Sequence, residues 1–86
     1  MPYIKQEDRE EFSGYLHVVG EMLRTPGELN YCFSILMKHY LKNKNKSYQT
    51  LNDCIGALEG AKLEFYRREV ARYEDLKIDI NGDLQI

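Results

Sequence analysis

The stretch SYQTLNDCIGALEGAKLEFYRREVARYEDL, residues 47–76, decides the fold class. Advancing 100° per residue, Leu51, Cys54, Ile55, Leu58, Phe65, Tyr66 and Tyr73 fall on one face. The period predicts a helix from Tyr48 to about Asp75, with Ser47 as its N-cap. Lys62 and Glu69 project near the middle of the same face. Gly56, Gly60 and Arg67 lie on the far side or its edge, and Leu63 and Val70 extend the apolar surface towards Gly56.

Two features of this helix ask for a reason. A glycine inside a helix costs about 1 kcal/mol relative to alanine. The segment GALEGA carries two, Gly56 and Gly60, which implies close packing against the chain's own helices or, alternatively, against a ligand or second subunit. Lys62 interrupts an apolar face. The usual arrangement runs its methylenes over that face and keeps the amine in water. The alternatives are an ion pair with Glu28, Glu59 or Glu69, or an anionic ligand held together with Arg67, Arg68 and Arg72.

Two further helices precede it. QEDREE places carboxylates in a first turn, where they favour the positive end of the helix dipole. Phe12, Tyr15, Leu16, Val19, Met22 and Leu23 then repeat at helical spacing, which predicts a helix over residues 6–24. TPGE at 25–28 combines a capping threonine, a proline suited to the first helical position and a glutamate three residues after the cap. It opens a second helix over residues 26–42. The main stripe of that helix is Leu29, Cys32, Phe33, Leu36, Met37 and Tyr40, with Tyr31 and Ile35 well round from it and Leu41 on the other side. A helix apolar over so much of its circumference is central or shared with another subunit. The tail KIDINGDLQI alternates around Asn81-Gly82, which predicts a C-terminal hairpin or extended arm.

With 86 residues, 43% hydrophobic and 30% charged, the chain fits a single soluble domain spanning residues 1–86, mainly α, with three helices. A core of this size contributes only a few kcal/mol, roughly 3–5, so small domains often need a staple or an oligomer. Cys32 and Cys54 both fall in helices, and the start of the chain lacks an apolar secretory core, which points to free thiols in a reducing cytoplasm. No Cys/His spacing fits a metal and no cofactor motif is present. Self-association is the remaining source of buried surface, so a homo-oligomer is expected. The net charge of −2 and the short apolar runs argue against nucleic acid and membrane as partners. The lysines of residues 38–46 read as a solvated helix end. Asp79, Asn81, Gly82 and Asp83 do not complete a calcium loop, because Lys77 stands in the first ligand position. The histidines and serines form no nucleophile motif, so a non-enzyme is expected. Tyr3, Tyr31, Tyr48 and Tyr73 sit at helix ends or off the main stripes, which suits a binding surface.

PYIKQEDR at 2–9, TPGELNY at 25–31 and SYQTLNDCIGALEGAKLEFYRR at 47–68 together resemble a family of small proteins of unknown function encoded by phages, prophages and some bacteria. The resemblance carries no catalytic residues. It implies an accessory role, in the host cytoplasm if the chain is phage-encoded. The expectation is a non-enzymatic binding protein, an oligomeric sponge that sequesters a nucleotide signal. Tyr48, Asn52, Lys62, Arg67 and Arg68 would make the ligand contacts, their chemistry suiting stacking, base edges and phosphate. The alternative is a protein–protein module that inhibits a host factor through the apolar surface of the second helix. Tyr31, Ile35, Gly56 and Gly60 are the expected interface residues.

Overall fold

The computed structural model describes residues 4–85, so Tyr3 and Ile86 lie outside the described residues. After a short 3-10 turn at Gln6–Asp8, the elements are α1 (Glu10–Met22), α2 (Pro26–Lys44), α3 (Tyr48–Phe65), a π-helical turn (Tyr66–Val70) and α4 (Ala71–Asn81). The protein is mainly α, with no strand among the described residues. The elements divide into two units, one ending at Lys46 and the other beginning at Ser47.

In the first unit the connection between α1 and α2 is fixed by hydrogen bonds. The Thr25 hydroxyl accepts from the Glu28 N–H at 3.1 Å, and the Glu28 carboxylate accepts from the Thr25 N–H at 3.1 Å. This is the reciprocal capping box. The same carboxylate oxygen also accepts from the Arg24 N–H at 2.6 Å. Arg24 Nη1 donates to the Glu21 and Leu23 carbonyls at 2.6 Å and 3.2 Å, covering acceptors left open at the end of α1. α2 runs one half-turn beyond expectation, to Lys44, and closes at Asn45 with φ of +66°. Lys42 and Lys44 occupy its last turn, where they oppose the negative dipole end. The two helices do not lie side by side. They meet at the elbow, around an apolar hollow lined by Val19, Met22, Leu23, Gly27, Tyr31 and Cys32.

In the second unit Ser47 caps α3 as expected: its hydroxyl accepts from the Thr50 N–H at 3.1 Å, and Thr50 Oγ1 accepts from the Ser47 N–H at 2.8 Å. The helix then continues without interruption through the π turn into α4. One bond marks that turn: the Ala71 N–H reaches the Tyr66 carbonyl, five residues back instead of four. The expected hairpin strand is absent because Lys77–Asn81 stays helical. Asn-Gly here serves a different purpose. Asn81 is the last helical residue, and Gly82, with φ of +86°, donates its N–H to the Ile78 carbonyl at 2.8 Å. A glycine in this conformation ends the helix. The spacing Tyr73, Leu76, Ile80 is itself helical, and it outweighs the alternation of Ile78 with Ile80.

Neither unit closes a core of its own. Among the described apolar residues only Cys54, at 9% exposure, is buried. Neither Cys32 nor Cys54 is joined in a disulfide, and Cys32 is half-buried.

Candidate functional site

The residues singled out for ligand contact share the second unit but not one place in it. Tyr48 stands at the first turn of α3 and is 82% exposed. Asn52 follows one turn later, also exposed. Lys62 lies fourteen residues beyond Tyr48, about 21 Å along the axis at roughly 1.5 Å per residue. Arg67 and Arg68 belong to the π turn. A single nucleotide cannot span that length, so one chain does not gather these five side chains into a pocket.

Lys62 has an observed neighbour. Its Nζ is 3.3 Å from Glu59 Oε1, with both side chains largely in solvent. An exposed pair of this kind contributes little, at most about 1 kcal/mol, and can exchange partners freely. Arg68 Nε is 3.2 Å from Glu64 Oε1. Arg67, Arg68, Glu69 and Arg72 line a shallow polar hollow on the π turn. Arg67 and Arg72 are both exposed, and Arg67 adds to the positive field of Arg68 at the Glu64 carboxyl.

The interface residues also separate. Tyr31 is 66% exposed at the α1–α2 elbow, whereas Ile35, one turn on, is half-buried. Gly56 does not sit in a tight packing strip. A methyl group added there would meet nothing within 4 Å, and Gly60 is half-buried.

Sequence reasoning missed the π turn and what locks it. The Tyr66 hydroxyl donates to Glu74 Oε1 at 2.9 Å, bridging the extra residue. That bond, together with the negative charge of Glu74 and slight desolvation, raises the Tyr66 hydroxyl pKa above its ordinary value of 10.0. A hydrogen bond that the phenol donates favours its protonated form. Lys77 Nζ lies 5.5 Å above the Tyr73 ring, a cation–π distance. The signal for all this was the shift in phase of the apolar residues after Phe65, which a fixed 100° advance smears out.

The apolar faces themselves are the most extensive feature. In α1, Phe12, Tyr15, Leu16, Val19 and Met22 are exposed, and in α3 Leu51, Ile55, Leu63 and Phe65 are exposed. No helix among the described residues is long and apolar enough to cross a membrane. The described residues hold no cluster of three His, Cys, Asp or Glu side chains suited to a metal ion.

Neither a curated protein nor a solved structure matches the chain. Residues 1–84 match a family described as a domain of unknown function, DUF6899, and the chain belongs to that family.

Proposed function

We propose that the chain is a non-enzymatic binding protein that completes its hydrophobic core by self-association. What supports the reading is the exposure of the apolar stripes in both units. Tyr15 is 80% exposed and Ile55 is 66% exposed, and both belong to faces that helical spacing marks as apolar. Apolar surface of this extent on a small chain drives association, at roughly 25 cal/mol for each Å² removed from water. Tyr31 and the apolar elbow around it are where a protein partner of another kind would dock.

A second reading, sequestration of a nucleotide or similar anion, is favoured by the hollow that Arg67, Arg68 and Arg72 line, since guanidinium groups suit phosphate. In this reading copies of the chain bring together residues that one helix holds apart. Native mass spectrometry of gently purified protein tests both. An oligomer of bare chains supports core completion by self-association. An oligomer carrying several hundred daltons of additional mass supports sequestration as well. A monomer across micromolar concentrations overturns both.

A further inference from the structure

The exposed face of the second unit follows a heptad repeat. Tyr48, Leu51, Ile55, Leu58, Lys62 and Phe65 succeed one another at alternating steps of three and four residues. These are the a and d positions of a coiled-coil seam. Continued without interruption, the repeat would pass to Glu69, Arg72, Leu76 and Asp79, three of them charged. The π turn prevents this. By taking up one extra residue it returns Val70, Tyr73, Lys77 and Ile80 to the same line. Ile55, Phe65, Tyr73 and Ile80 are all more than half exposed and Leu58 and Val70 are half-buried, so most of the seam lies open.

We infer that this seam pairs with the same seam of a second copy, antiparallel, about a two-fold axis passing between Arg67 and Arg68. The inference rests on the self-association proposed above and specifies its surface and direction. Around that axis the seam is self-complementary. Ile55 meets Ile80 of the second copy, Phe65 meets its Val70, Lys62 meets its Tyr73, and Leu58 meets the methylenes of its Lys77. Each layer recurs on the other side of the axis, as an isologous interface requires.

Charge chooses the antiparallel direction. In a parallel, in-register pair Lys62 would face Lys62, Lys77 would face Lys77, and Glu69 would flank Glu74 of the second copy. Like charges so placed oppose association. The antiparallel pair instead sets Lys62 beside Glu74 of the second copy and Lys77 beside its Glu59, two contacts that the symmetry doubles to four. The exposed pair of Lys62 with Glu59 in its own chain exchanges for a less hydrated one. Tyr73, which already carries Lys77 above its ring, receives Lys62 from across the axis. Gly56 and Gly60 lie on the opposite side of the helix and play no part.

The test uses the full-length chain in sedimentation equilibrium. Lys62→Glu with Lys77→Glu places four glutamates against glutamates and is expected to weaken the dimer constant at least about tenfold. Adding Glu59→Lys to that variant reverses the pair with position 77 while leaving Glu74 to the Tyr66 hydroxyl, and is expected to recover the constant in part, by at least about threefold. Circular dichroism reports whether each variant keeps its helices. Carbodiimide coupling of a mixture of ordinary and nitrogen-15 protein should yield mixed-isotope peptides joining Lys62 to Glu74 and Lys77 to Glu59. An associating wild type whose constant ignores the double charge reversal, or whose mixed-isotope links join Lys62 to Glu59 only, overturns the antiparallel seam and leaves self-association standing. A wild type that stays monomeric overturns self-association itself.

Discussion

The two units of this chain are ordered by different means. The unit ending at Lys46 gets its order from a connection: Arg24, Thr25 and Glu28 exchange backbone and side-chain hydrogen bonds that fix where α1 stops and α2 starts. The unit beginning at Ser47 gets its order from helical continuity, with one cap at Ser47, one glycine at the far end and a π turn between. Local hydrogen bonds specify both, yet in neither do they bury the apolar faces. Short-range chemistry thus determines the secondary structure here, while the apolar faces of both units stay largely exposed.

The largest effect should come from separating the two apolar surfaces. Ile55→Asp puts a carboxylate in the seam, where association would bury it unpaired twice per dimer. Such burial costs several kcal/mol, so the dimer constant is expected to weaken at least about a hundredfold. Tyr31→Asp alters the elbow of the first unit instead, and should leave that constant within about threefold of wild type. Both side chains are exposed in the chain, so the helical circular dichroism should survive either change. Equal losses in the two variants would mean that both units share one interface, and the contrast between them would collapse.

The caps come next in size. Thr25→Ala and Ser47→Ala each remove a hydroxyl that accepts a backbone N–H. Each should cost about 1 kcal/mol in urea unfolding. Where the loss appears is the sharper readout. Amide exchange should rise over residues 26–30 for Thr25→Ala and over residues 48–52 for Ser47→Ala. Spreading of either loss into the other unit would show that the two open as one body.

Gly56→Ala carries a smaller effect of the opposite sign. There is space around the added methyl group. Alanine's higher helix propensity should therefore stabilise the second unit by up to about 1 kcal/mol, or about 4–8 °C in Tm for a chain of this size. A fall in Tm would place the backbone of another subunit against GALEGA, and the seam on the opposite face would then not be the main contact.

Much of the fold is legible because its signals are local. TPGE has one good reading, and both the proline and the glutamate of the box behave as their chemistry demands. Ser47 is equally plain. Asn81-Gly82 is not, since a residue with positive φ closes a helix as readily as it turns a hairpin; the deciding context is Tyr73, Leu76 and Ile80, just upstream. The residues expected to contact a ligand stand out by their chemistry, and chemistry does not report distance. Tyr48 and Lys62 share a helix and stand about four turns apart. Lys62 on an apolar face is the useful anomaly, because a lysine at a seam position can fix the register and direction of a coiled coil. That it shares a line with Lys77 becomes visible only with the π turn in place.

The smallest effect bears on that turn alone. Residues eight apart in an uninterrupted α-helix point about 80° away from each other. The extra residue of the π turn aligns Tyr66 with Glu74, so their 2.9 Å hydrogen bond exists only while the turn does. The bond favours the protonated phenol, and the folded pKa of Tyr66 is accordingly raised above the ordinary value of 10.0 that the unfolded chain keeps. Its contribution to stability is therefore complete below that value and disappears as the pH rises through the higher folded pKa. Subtracting the ultraviolet titration of Tyr66→Phe from that of wild type should isolate one phenol with a midpoint above 10.0. The Tm of wild type should fall more steeply than that of Tyr66→Phe over the same interval. A difference curve centred at or below the ordinary value would mean that the bond does not hold in solution. The phase shift that carries the seam from Phe65 to Val70 would then lose its lock, and with it the reason why the two halves of the long helix present one continuous face.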